Sequence, residues 1–228
     1  YEIPKRDWSS DVCSSDLAWD MRRPALFRQE LFAALQILDQ GDVELTRFRG
    51  SWAGALGQPQ FMPTSYLQYA EDFDGDGRRD IWSSEGDVLA SIANFLKGHG
   101  WRSGEPWGRE VTLPRDAARR IARDVALRDG TCKAAREMTV ALTASRWNEL
   151  GVRLHGGGRL PEDLPAAALV GGPARYFLVH ENYDRLLDYN CAHSYALAVA
   201  LMGNAVQAGS GDSGTTTPAA GRRPAPRR

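Results

Sequence analysis

Between residues 24 and 38 apolar side chains return at helical intervals: Leu26, Phe27, Leu31, Phe32, Leu35 and Leu38 share a stripe, while Arg28, Gln29 and Gln36 face away. The pattern predicts a helix that Gly41 ends. Pro63 suits the first turn of a second helix, which carries Tyr66, Tyr69 and Ala70 toward a run of aspartates. A third helix begins near Asp87, with Val88, Leu89, Ile92, Phe95 and Leu96 as its apolar stripe and Gly98 as its stop. Beyond Trp101 the rhythm changes to short, partly alternating runs between Gly and Pro turns, at residues 110–113, 151–154, 167–170 and 175–180. These predict a small antiparallel sheet, with helices over 117–127 and 144–150 between the strands. The last run, 194–206, is apolar nearly all round and predicts a buried helix.

At 228 residues and 43% hydrophobic, the chain can bury the core of one domain, or of one domain with an elaboration. A formal net charge of -1 is not the strong basic excess of a nucleic-acid binder. No apolar run is long enough to cross a membrane, and the first residues lack the basic-then-apolar pattern of a signal peptide. The two ends stand apart. Residues 6–17, RDWSSDVCSSDL, are rich in Ser and Asp and have no hydrophobic period. Residues 7–17, ending at Leu17, resemble the translation of a sequencing-library adapter, so the leader 1–17 is set outside the fold as artefactual or disordered. From residue 207 to 228 the Gly/Ser/Thr/Pro/Arg tail is expected to be disordered. With Cys13 set aside, Cys132 and Cys191 remain, and a disulfide and two buried free thiols both suit them. His99, His155, His180 and His193 show no metal or triad spacing.

Candidate chemistry concentrates in residues 50–82, GSWAGALGQPQFMPTSYLQYAEDFDGDGRRDIW. Gly50, Gly54 and Gly57 permit tight turns or close backbone approach, and Ser51 and Gln60 offer hydrogen-bonding groups that suit sugar hydroxyls and N-acetyl groups. Glycines this dense also make simple turns. Further on, Asp72, Asp74 and Asp76 alternate and Gly77 follows. That opens a calcium loop, with hard oxygen ligands on alternate residues and a glycine where the chain must turn. The Arg78 carbonyl falls at the backbone-ligand position, but where a standard loop closes with a bidentate Glu this chain has Ser83. Predicted helices on both sides complete an EF-hand-like frame. The plainer reading is an exposed acidic turn, although three alternating aspartates without a cation repel one another.

The order of these two halves resembles the B-type lytic murein transglycosylases, bacterial enzymes that cut the sugar strands of peptidoglycan. The resemblance runs from Leu17 to Val206 and is most specific at 50–101. It implies a mainly α (α+β) fold: a lysozyme-like helical core, an EF-hand-like calcium loop and a small antiparallel β element inserted before the final helix. Residues 18–206 would be the remainder of a catalytic domain, with the β element at about 109–182. By the same resemblance Ser51 and Gln60 contact the glycan near the cleavage point and Met62 lines the cleft. Phe95 falls where some relatives carry a substrate-contacting Tyr, so only ring stacking carries over, and packing on its own helix stripe competes. Tyr189 and Asn190 match a Tyr-Asn or Trp-Asn pair that brings an aromatic and an amide to the cleft; a core-edge aromatic and a cap residue would read the same. Asp87 falls where the family closes its calcium loop, a position that a helix N-cap explains as well. The implied metal set is Asp72, Asp74, Asp76, the Arg78 carbonyl and Asp87 around a structural calcium, with no organic cofactor.

The implied reaction is non-hydrolytic cleavage of the MurNAc–GlcNAc bond. One Glu acts as acid and then base, and the sugar's own 6-hydroxyl closes onto the anomeric carbon to give a 1,6-anhydro end. In the family that Glu sits on a helix upstream of the stretch that here begins at Leu17, where this chain carries the adapter-like leader. With that Glu missing upstream of Leu17, no catalytic residue is expected here, and the fragment is expected to be inactive. Glu30 reads as a surface partner, and Glu44, Glu71 and Glu85 flank turns or the acidic loop. The implied partner is the peptidoglycan glycan strand, bound by a monomer in the periplasm or cell envelope, with no nucleic acid. A rival reading is a non-catalytic, calcium-stiffened peptidoglycan- or carbohydrate-binding module. A calcium sensor is a weaker third, because sensor EF-hands work in pairs and a single D-x-D-x-D-G occurs.

Overall fold

The computed structural model describes residues 24–51, 53–171 and 175–210. Leu17 and the leader 1–17 lie outside the described residues, and so do the expectation of a Glu missing upstream of Leu17 and that of a disordered tail over 211–228. The chain divides into two compact units, Tyr1–Gly104 and Glu105–Arg228.

In the first unit, helix α1 spans Pro24–Gln40, α2 spans Pro63–Tyr69 and α3 spans Glu85–Gly98. The buried face of α1 is not the expected Leu/Phe stripe. Ala33, Ala34 and Ile37 are buried, whereas Leu26, Phe32 and Leu35 are 43%, 64% and 54% exposed. The small alanines let α2 come close, and Glu30, one turn earlier on the same face, is only 3% exposed. A buried carboxylate costs free energy unless hydrogen-bonded. Glu30 meets that need with Thr64, accepting its backbone N–H at 2.9 Å and its hydroxyl at 2.7 Å. Thr64 lies in the first turn of α2, where backbone N–H groups have no helical acceptor, and Met62 in the N-cap position offers no side-chain bond. Glu30 thus caps α2 from 34 residues away and is no surface partner. Its replacement by Ala leaves both Thr64 donors short of an acceptor and is expected to cost about 2–3 kcal/mol. Urea unfolding of Glu30→Ala checks this, and the same change in a Thr64→Ala background should cost clearly less.

Helix α3 starts two residues before Asp87, and Ser84 is its N-cap, accepting the Asp87 N–H at 3.3 Å. Val88, Ser91 and Phe95 face inward, and Leu89, expected on the stripe, is exposed. Ile37, Leu56, Tyr66 and Ile81 form the fully buried centre of the unit.

The second unit holds the expected sheet. Strands β1 (Gly108–Thr112), β2 (Arg153–Leu154), β3 (Ala168–Gly171) and β4 (Tyr176–Val179) run in the order β2-β1-β4-β3, every neighbouring pair antiparallel. Helices α4 (Arg115–Asp124) and α6 (Ala144–Glu149) fall where the periodicity places them. Trp147 of α6, fully buried, donates its indole N–H to the Ala167 carbonyl at 2.9 Å, and Asn148 pairs both ways with the Leu160 backbone at 2.8 and 2.9 Å. Two helices are additions to the sequence reading: α5 (Lys133–Arg136) and α7 (Glu181–Tyr189). Helix α8 runs His193–Ser210, four residues past the expected end at 206, so residues 207–210 are helical. It is not buried all round: Ala196 and Ala200 pack inward, while Met202 and Val206 are 62% and 65% exposed. Cys132 and Cys191 form a disulfide with Cα atoms 6.2 Å apart, which resolves the two alternatives for these thiols.

Candidate functional site

Residues 50, 51 and 53–62 include a compact turn in which Leu56 bridges both Gly50 and Phe61. Gly57 adopts φ +60, and a Cβ there would sit 2.6 Å from the Ile81 carbonyl, so no larger residue fits. That closeness joins the glycine turn to the end of the aspartate loop. The Gln58 N–H donates to the Ile81 carbonyl at 2.9 Å, and the Gln58 amide donates to the Trp82 carbonyl at 3.1 Å. Ser51 Oγ accepts the Ala55 N–H at 3.1 Å, which leaves its own proton to donate outward. Gln60 is exposed and is the described non-glycine residue with positive φ, at 57. Such a backbone costs roughly 1–2 kcal/mol for an L-residue and marks sites where geometry matters. Its side-chain amide donates to the Gly57 carbonyl at 2.8 Å, and its carbonyl oxygen remains an acceptor. Met62, half-buried, closes the turn as the N-cap of α2.

The aspartate loop folds around its own carboxylates. Asp72 accepts the N–H groups of Gly75, Asp76 and Gly77 at 2.8, 3.2 and 2.9 Å. Asp87 is 1% exposed and returns from α3 to this loop, its two oxygens accepting the N–H groups of Phe73 at 2.9 Å and Asp80 at 2.8 Å. One carboxylate oxygen each from Asp72, Asp74 and Asp87 gather within 4.8 Å of one another. Asp76 is not in that group, and its Oδ1 accepts the Arg78 N–H at 2.8 Å. With Ser84 as the helix cap, Asp87 is free of capping and points to the acidic centre instead. Three hard anionic oxygens, one of them buried, fit an oxygen-seeking cation such as calcium.

Sequence reasoning missed the frame around this loop. Burial pushes the Asp80 carboxyl up, but bonds from the Ser83 hydroxyl and from the N–H groups of Ser83 and Trp82, with Arg47 nearby, bring it below its ordinary value. Arg79 pairs with Asp42 and lies over the Tyr66 ring, whose hydroxyl donates to the Arg79 carbonyl at 2.8 Å. The sequence separation of these partners, 13 to 37 residues, left no local pattern to read.

Phe95 is 7% exposed and packs with Phe61, Tyr69 and His99, the last stacked at 3.9 Å. Its ring lies among the buried side chains of the first unit. In the second unit Tyr189 ends α7 and Asn190 is the C-cap. Asn190 is exposed, and Tyr189, half-buried, stacks on Tyr195 at 6.0 Å with the rings 8° from parallel. Burial, with Tyr195 alongside, pushes the Tyr189 phenol far above its ordinary value, so it stays a neutral hydrogen-bonding group.

Known proteins are similar to this chain in sequence and fold. Residues 13–204 match the family model of the transglycosylase SLT domain. Over 84 residues the chain is 43% identical to the membrane-bound lytic murein transglycosylase B of Escherichia coli strain K12, covering 37% of this chain and 23% of that protein. SltB3 from Pseudomonas aeruginosa, in complex with NAG-anhNAM-pentapeptide, superposes with a TM-score of 0.69 at 39% identity, over 88% of this chain and 53% of the other. The Escherichia coli lytic transglycosylase Slt35 in complex with calcium gives 0.66 at 28% identity, over 85% and 57%. The chain thus spans about half the length of these structures and about a quarter of the curated relative.

Proposed function

The chain belongs to the transglycosylase SLT domain family, and from that premise we propose that it is part of a lytic transglycosylase that binds peptidoglycan glycan strands and cleaves the MurNAc–GlcNAc bond to 1,6-anhydro ends. Its fold is the mainly helical, lysozyme-like one of these proteins with a small antiparallel sheet. The observation that carries the proposal is the strained, exposed Gln60 on a turn bonded to the aspartate loop, in a chain similar to SltB3, which was solved with a NAG-anhNAM-pentapeptide. Ser51 and Gln60 are donors and acceptors for sugar hydroxyls and N-acetyl groups, with Met62 as an apolar wall. In the second unit Tyr189 offers a ring and Asn190 an amide to the same class of ligand. Flat apolar and bidentate polar groups are the usual means of holding a sugar in a fixed orientation.

Asp72, Asp74 and Asp87, with Asp76 and the Arg78 carbonyl, would hold a calcium ion, which would supply positive charge to the loop behind Gln58. The binding of calcium by Slt35 supports this reading. Location in the bacterial envelope follows from the substrate and is supported by the disulfide, which persists in oxidising compartments. No helix among the described residues is long and apolar enough to cross a membrane. Co-sedimentation with purified sacculi tests the proposal. The chain should pellet with the wall polymer, and Gln60→Ala and Asn190→Ala should each weaken binding by roughly tenfold or more, the cost of leaving polar partners unmatched. Equal binding by both variants would remove the assignment.

A further inference from the structure

We propose that the Cys132–Cys191 disulfide is a positioning element for glycan recognition, fixing the junction that presents Tyr189 and Asn190, so that opening it weakens glycan binding without unfolding the second unit. The inference rests on the reading of Tyr189 and Asn190 as glycan contacts.

Only three residues, Asn190, Cys191 and Ala192, join α7 to α8. Cys191 directly follows Asn190 and, like it, is exposed. The backbone bonds there run from the Asn190 N–H to the Leu186 carbonyl at 3.1 Å, from the Ala192 N–H to the Asn190 carbonyl at 2.7 Å and from the Ala196 N–H to the Ala192 carbonyl at 3.0 Å. Asn190 itself is extended, with φ -146 and ψ 112, so helix geometry does not hold its side chain. The disulfide supplies an external anchor. Cys132 is the N-cap residue of α5, whose Ala134 and Ala135 are buried. The same segment is tied to the start of α7, because Arg128 donates to the Ala135 carbonyl at 3.1 Å and pairs with Asp184 at 2.5 Å. Helix α7 is therefore held against residues 128–136 at both ends, by an ion pair in its first turn and by a covalent bond just past its last residue. The second end is where the candidate glycan groups lie. Across the junction the Tyr189–Tyr195 stack and the bond between Tyr183 Oη and His193 Nδ1, at 3.0 Å, depend on the angle between α7 and α8.

Opening the bond releases a crosslink across 59 residues and restores backbone freedom to the junction. The glycan must then reorder Asn190 when it binds, a cost that a preorganised site avoids. Cys191 is an exposed residue, which favours attack on the bond by a dithiol. A dithiothreitol thiolate attacks one sulfur, its second thiol displaces the mixed disulfide, two electrons pass, and the products are two protein thiols and cyclic oxidised dithiothreitol.

The experiment uses the 228-residue chain and a soluble GlcNAc–MurNAc tetrasaccharide, with affinity measured by calorimetry and local order by hydrogen exchange. Oxidised protein, dithiothreitol-treated protein, Cys132→Ala and Asn190→Ala are compared. Cys132→Ala opens the bond while leaving the residue beside Asn190 unchanged. Reduction and Cys132→Ala should each lower affinity by about tenfold, reduction should have no added effect on Cys132→Ala, and reoxidation should restore the wild type. The Asn190 and Ala192 amides should exchange faster, while those of Phe177 and Val179 in the sheet stay protected. Unchanged affinity with the bond open overturns the positioning role. So does loss of protection throughout the sheet, which would make the disulfide a general staple. If Asn190→Ala binds like the wild type, the glycan reading of the junction fails instead, whatever reduction does.

Discussion

Calcium added to the chelated chain should raise the melting temperature of the first unit by about 10–20 °C, and the rise should disappear in Asp87→Asn. The effect is large because three carboxylates share one small space. One oxygen each from Asp72, Asp74 and Asp87 lie within 4.8 Å of one another, and Asp87 is almost fully buried. Without a cation their mutual repulsion opposes folding, and with one it becomes binding energy available only to the folded loop. At a hundredfold excess of calcium over its dissociation constant, mass action adds about 2.7 kcal/mol. In a unit of this size each kcal/mol shifts the midpoint by about 4–8 °C. Asp87→Asn removes one of the three charges and places an amide where both carboxylate oxygens now accept N–H groups from Phe73 and Asp80. Circular dichroism melts at millimolar calcium and after chelation check both parts. No shift in the wild type, or an equal shift in Asp87→Asn, rules out a metal here. The response of Asp76→Ala is a separate question. Asp76 stands outside the group of three, so a ligand role for it predicts a partial loss of the calcium response, whereas a purely structural role predicts none.

The sheet and the aspartate loop are legible in the sequence because their signals are local. Alternating apolar runs between Gly and Pro turns mark β1 to β4, and D-x-D-x-D-G marks the loop. Other features depend on partners far along the chain. Periodicity assigns the largest apolar side chains to the core, yet α1 buries Ala33, Ala34 and Ile37 and leaves Phe32 outside, because close approach of α2 rewards small residues. Glu30 reads as solvent-facing charge because the donor it accepts from, Thr64, lies 34 residues later. Asp87 is placed in the loop only through family resemblance, since at that position a cap and a ligand have the same residue type. The structure gives the cap to Ser84 and turns Asp87 toward the N–H groups of Phe73 and Asp80. Composition alone makes α8 a buried helix, but apolar residues on all sides do not say which side meets the rest of the unit, and there Ala196 and Ala200 do.

Incubated with purified sacculi, the 228-residue chain should release no 1,6-anhydromuropeptides, while the same chain from Leu17 onward, joined to the amino-terminal part of a relative's catalytic domain, should release them. Departure of the glycosidic oxygen needs a proton, and general acid catalysis alone contributes about 10²–10⁴-fold. The deficit should lie at the upper end of that range or beyond, because in the proposed mechanism one Glu makes both proton transfers. The two buried carboxyls among the described residues are otherwise engaged. Glu30 is buried with both oxygens accepting from Thr64, and Asp87 is buried with both oxygens accepting backbone N–H groups. Glu44, Glu71 and Glu85 stand in solvent, outside the water-poor surroundings that let one residue serve as acid and then base. Gln60 and Asn190 can orient a glycan but cannot protonate it. In the joined protein, changing the supplied Glu to Gln should abolish product, and Gln60→Ala should lower the rate with that Glu intact. Product analysis by mass spectrometry separates anhydro ends from hydrolysed ones. Release from the unjoined chain at a rate comparable with the joined protein would place the acid within these 228 residues, and Glu44 and Glu30 would be the first to replace.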